Sequence, residues 1–179
     1  MTDLELLAAF PAKGKETGMV RNDWDLAESA LGVTFPSSFM RFLEVFGGSQ
    51  FDDFLTVYRA GANNEYLDLV SRTCAARSAM TETTSRPHIK ELLHRRGLAP
   101  DQLIRWGGTD NADFCFLLPD KHPGKWGVLI VAGRGDAYDL FEGPVETYLL
   151  HVLRREYVSD VFPDDFPDDN PGYERRPNA

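Results

Sequence analysis

The chain has 179 residues, 42% of them hydrophobic and 12% aromatic, enough for one domain with a real core and too short for two comfortable ones. A net charge of −9 argues against nonspecific nucleic-acid binding, which needs clustered Lys and Arg. Two cysteines, Cys74 and Cys115, are too few for a disulfide framework, and the longest apolar run, "VLIVA" at 128–132, is far short of the roughly 20 residues of a membrane span.

"TDLE" at 2–5 fits a capping box, followed by Leu4, Leu7 and Ala8 at helical spacing. "PAKGKETG" reads as a loop. Trp24, Ala27, Glu28 and Leu31 then fall on one helical face, with Asn22 or Asp23 as cap and Gly32 as terminator. In "FPSSFMRFLEVFGG" at 35–48, Phe39, Phe42, Leu43 and Phe46 follow the i, i+3, i+4, i+7 pattern. Pro36 suits the start of that helix, and Gly47 is expected to end it in a left-handed conformation. "FLTVY" at 54–58 is the first convincing strand. "EYLDLVSRTCAARSAM" at 65–80 looks helical, with Tyr66, Leu69, Val70 and Thr73 on one side. After the polar break "TETTSR", "PHIKELLHRRG" predicts a helix that starts at Pro87, turns Ile89, Leu92 and Leu93 inward and stops at Gly97.

The second half changes period. "QLIRW", "FCFLL", "WGVLIVA" and "AYDLF" are strand-like, the last two joined by the turn "GRGD" at 133–136. Val128 and Ile130 face one way and Leu129 and Val131 the other, so that strand is expected to be covered on both sides. "GPVETYLLHVLRRE" predicts a closing helix with a stripe of Val145, Tyr148, Leu149, Val152 and Leu153. From Ser159 the chain carries four prolines, six acids and two arginines, which predicts a solvated tail without regular structure, draped over the domain by Phe162, Phe166 and Tyr173. The order of elements argues for an α+β fold, a mainly antiparallel sheet packed with N-terminal and C-terminal helices, over residues 1–158, with 159–179 as an acidic, proline-rich tail.

Chemistry-bearing motifs are sparse. The sequence holds no phosphate-binding glycine loop, zinc-protease helix, nucleophile elbow or Cys-x-x-Cys pair. His88, Glu91 and His94 sweep about 120° of one helix surface, too wide for the i, i+4 pairing of zinc helices, and read as solvated residues. "TDNAD" at 109–113 reads as a turn in which Asp and Asn bond their own backbone, with acid–base work by Asp110 and Asp113 as the rival. Cys115 between Phe114 and Phe116 reads as a buried thiol, and "RGD" at 134–136 as a plain hairpin turn.

Residues 59–105 hold eight basic and five acidic residues, a balance of +3 that leaves −12 for the remainder. Such a surface favours basic partners and repels DNA and anionic lipid. "MTDLELLAAF" carries acids where a signal peptide needs positive charge, so a cytoplasmic location is expected.

"DWDLAESALGVTFPSSFMRFLEVFGG" resembles the N-terminal signature of the SUKH superfamily, which includes fungal cell-wall-assembly regulators and many bacterial immunity proteins. The matching landmarks are Trp24, Glu28, Leu31, Gly32, Pro36, Phe39, Phe42, Leu43, Gly47 and Gly48. A second block, "LIRWGGTDNADFCFLLPD" with Trp106, continuing through "WGVLIVA" to "VETYLLHVL", is similar to the family's strands and C-terminal helix. Ala112 stands where the family often has Gly, and residues 59–101 look like a variable helical insertion. The resemblance implies a SUKH-like α+β fold without enzymatic activity, cofactor, metal or small-molecule substrate. It implies an immunity-type protein that occludes a partner toxin, frequently a nuclease, with a scaffold or signalling module of the same fold as the alternative. A basic toxin domain suits the charge, and Asp52, Asp53, Asp110, Asp113 and Asp120, near predicted strand ends, are the expected contacts.

Overall fold

A computed structural model describes residues 1–14, 20–82 and 86–176. Among the described residues, six α-helices and seven strands follow in the order α1 (Asp3–Ala8), α2 (Trp24–Leu31), α3 (Ser37–Phe46), β1 (Ser49–Phe51), β2 (Leu55–Val57), α4 (Leu69–Glu82), α5 (Pro87–Arg95), β3 (Ile104–Thr109), β4 (Phe114–Leu118), β5 (Gly127–Val131), β6 (Tyr138–Phe141), α6 (Val145–Leu153) and β7 (Tyr173–Arg175). The fold is α+β: the strands form one antiparallel sheet in the order β6-β5-β4-β3-β2-β1-β7. Consecutive strands from β1 to β6 are neighbours, and β7 is added from the C-terminus onto the free edge of β1.

Both faces of the sheet are covered. Val128 and Ile130 of β5 join a core with residues of α1, α2, α3 and α6, while Leu129 and Val131 join a second core with Ala76, Met80, Ile89, Leu92 and Leu93 of α4 and α5. Residues 59–101 thus contribute one helical layer. Among the described residues, no helix is long and apolar enough to cross a membrane.

The signature residues at 24–48 build the first core. Asp23 caps α2 by accepting the Leu26 N–H at 3.2 Å, and Gly32 ends it with φ +67°. Glu28 accepts the Phe35 N–H at 2.8 Å, which ties α2 to the start of α3. Rings run from Trp24 through Phe35, Phe39, Phe42 and Phe46 to Phe51, each pair 5.3–6.4 Å apart, and Trp106 stands edge-on to Phe42 at 6.1 Å. Such offset and edge-to-face pairs add to the apolar area they bury.

Three expectations about the fold need correction. Gly47 has φ −56° and does not close α3 left-handed; Gly48 takes that role at φ +77°. A Cβ on Gly47 would stand 2.5 Å from the Leu43 carbonyl, so the first glycine is needed for close approach. The helix expected at 65–80 begins at Leu69, because Asp68 accepts the Ser71 N–H and hydroxyl at 2.8 and 2.9 Å and caps it there. Tyr66 accordingly lies outside it, 65% exposed. The tail does contain regular structure, since Tyr173–Arg175 pairs with Ser49–Phe51. The expected loop at 11–18 and the break at 81–86 fall partly outside the described residues.

Candidate functional site

The turns at 52–54, 110–113 and 133–136 lie at one end of the sheet, and those at 119–126 and 142–144 at the other. Four of the five expected aspartates therefore sit at the first end and Asp120 at the second.

Asp52 and Asp53 form the β1–β2 turn with φ +45° and +52°, a conformation Asp tolerates better than most residues. The Asp52 side chain is 1% exposed. It accepts the N–H groups of Gly172 at 2.8 Å and Asp168 at 3.2 Å, and the Lys13 ammonium at 3.2 Å, whose pKa this hydrogen bond raises. Asp113 is 3% exposed and accepts the Thr109 hydroxyl at 2.5 Å and the Gly133 N–H at 2.7 Å, joining two turns. Asp52 and Asp113 are therefore tethers, which corrects their assignment as surface contacts. Asp53, Asp110 and Asp120 are exposed.

The tail enlarges the acidic end. Phe54 meets Phe162 at 5.7 Å and Phe166 at 4.8 Å, and its carbonyl accepts the Asp110 N–H at 3.2 Å. These contacts hold exposed Asp164, Asp165, Asp168 and Asp169 on the same side as Asp53 and Asp110. Lys13, Arg155, 3.9 Å from Asp169, and Arg134 in the neighbouring hairpin offset part of this charge. Sequence reasoning missed the tail acids as part of a site, although their aromatic spacing was the available signal.

The other candidates separate. His88 stacks on Tyr138 at 5.6 Å, Glu91 pairs with Arg95 at 3.8 Å, and His94 is exposed. Among the described residues, no three His, Cys, Asp or Glu stand together as a metal site. Cys115 is fully buried, and burial pushes its thiol pKa well above the ordinary value. Asp139 is buried too; burial raises its pKa against the hydrogen bonds from Ser159 at 2.5 Å, the Asp160 N–H at 2.8 Å and Tyr148 at 3.0 Å that anchor the tail.

Arg105 went unnoticed in the sequence, where the only signal was a cation inside the apolar strand "LIRW". It is 5% exposed, with its guanidinium 4.5 Å from the Phe114 ring and 5.6 Å from that of Tyr58. It donates to the carbonyls of Gly107 and Asp113 at 3.3 Å, and burial lowers its pKa. A Cβ on Gly108 would come within 2.9 Å of its Nη2 and 2.6 Å of Tyr58 Oη, so the glycine makes room for this stack.

At the opposite end a partly enclosed cavity of about 70 Å³ opens beside Trp126 and Glu146. Trp126 donates its indole N–H to the Asp120 carbonyl at 2.9 Å, and the Asp120 carboxylate accepts the His122 N–H at 2.8 Å. Asp120 thus shapes a wall of that cavity. Compared with known protein families, with curated proteins and with solved structures, the chain matches none.

Proposed function

We propose that the protein is a cytoplasmic, immunity-type binder of the SUKH kind that occludes a basic toxin domain without catalysing a reaction. The observation that carries this reading is the gathering of Asp53, Asp110 and four tail aspartates at one end of the sheet, in a chain of net charge −9. Complementary charge raises association rate and selects partners, and the basic surface of a nuclease is a fitting counterpart. The resemblance at 24–48 and 103–120 supports the same reading, because its landmarks are spent on the core and leave the exterior for recognition.

Co-expression with basic toxin domains tests it. Survival of the host and a complex that co-purifies at equal stoichiometry are the expected results. No protection and no complex with any such domain removes the reading, and capture of an envelope-assembly or signalling protein instead supports the scaffold alternative.

A further inference from the structure

The cavity near Trp126 has an unusual lining. Pro36, Phe39, Leu117, Trp126 and Val145 supply apolar walls, and Glu146 supplies a carboxylate. Glu146 is only 8% exposed, and its Oε2 is buried without a hydrogen-bond partner. Burial raises its pKa, its own main-chain N–H and the exposed Arg41 offset part of that rise, Asp3 adds to it, and no ion pair reaches the group among the described residues. Lys121 and Lys125 of the neighbouring loop are exposed and make no pair with it. Buried polar groups in native proteins are almost always partnered, and an unpaired buried carboxylate is costly.

We propose that this cavity receives the ammonium end of a lysine side chain, with Glu146 as counter-ion and Trp126 and Phe39 as aromatic walls. The inference rests on the protein-binding reading only for who presents the lysine. Aromatic faces attract cations, most strongly where water is excluded. One water needs about 10–15 Å³, so about 70 Å³ holds an ammonium and the last methylenes of its stem. A single free carboxylate oxygen suits a point-like ammonium, whereas guanidinium prefers a two-oxygen fork. The Asp120 carbonyl holds the Trp126 ring, so little ordering remains to be done on binding.

Titration with butylammonium, followed by NMR of the Trp126 indole N–H, tests the site without any partner protein. Saturable shifts are expected, with affinity falling at least about tenfold for neutral n-butanol on the same wild-type protein and for Glu146→Gln. Butylguanidinium is expected to bind more weakly than butylammonium. Equal binding of butylammonium and butanol, or no loss in Glu146→Gln, overturns the inference. Failure of the amine to bind, with a toxin complex still formed at the acidic end, overturns it while leaving the immunity reading in place. Amine binding with no toxin complex leaves the cavity standing and removes that reading.

Discussion

Phe166→Ala tests whether the tail belongs to the folded domain. Phe166 is 8% exposed and packs its ring 4.8 Å from Phe54 and 5.4 Å from Phe162. Buried Phe→Ala substitutions cost about 3–5 kcal/mol, and a site at the margin of the core, where solvent can enter the vacated space, belongs at about 3. That is a large share of the roughly 5–15 kcal/mol that holds a domain together. It corresponds to a fall in Tm of about 6–12 °C for a chain of this size. Adding Phe162→Ala brings the loss to about 5 kcal/mol rather than the simple sum, because the two rings touch each other and share Phe54. Urea unfolding followed by tryptophan fluorescence reads the change, since Trp106 and Trp126 are both buried. A loss below about 1 kcal/mol, the range of surface substitutions, refutes the packed tail and with it the placement of the tail aspartates beside Asp53 and Asp110.

Other consequences are equally direct. Native protein treated with a thiol reagent is expected to label Cys74, which is exposed, and to spare Cys115 until the chain unfolds. Burial raises the Glu146 pKa, so the folded state binds a proton more tightly than the unfolded chain and stability falls as pH rises from the ordinary value of 4.5 through the raised one. Glu146→Gln escapes that loss; its stability relative to wild type is expected to improve across that window and then level off, and a flat difference contradicts the unpaired burial. Ala112 sits at φ +64°, where the Cβ costs about 1–2 kcal/mol. Ala112→Gly relieves that strain against a chain-entropy cost of about 0.5–1 kcal/mol, so a gain of up to about 1 kcal/mol in chemical denaturation is expected.

Local periodicity made most of this fold legible. Phe114–Leu118 coincides with its expected strand, and the two-sided pattern of Val128 to Val131 correctly placed β5 between two layers. The elements that escaped notice owe their existence to distant partners. Ser49 and Gln50 carry no apolar alternation, and "YER" is a charged edge strand whose register is set by pairing with β1. Tyr66 fitted the helical spacing, but the local bonds of Asp68 decided where the helix begins.

The site divides in the same way. The predicted strand ends located the aspartates, while the direction each carboxylate faces depends on groups far along the chain. Asp52 turns inward because the Gly172 N–H, 120 residues away, waits there, and Asp113 because Gly133 does. Glu146 stands in the first turn of α6, where the helix dipole favours an acid, and the convergence of Pro36, Phe39 and Trp126 around it leaves it buried with its Oε2 unpartnered.

The acidic end of the sheet meets its most direct test in association kinetics. A basic toxin domain that co-purifies with the protein is mixed with wild type and with the triple variant Asp53→Lys, Asp110→Lys, Asp165→Lys, across a range of salt concentrations. The account predicts an association rate that falls steeply with salt for wild type, and a rate at least about tenfold lower for the triple variant at low salt. Identical rates and identical salt slopes for the two proteins would contradict it.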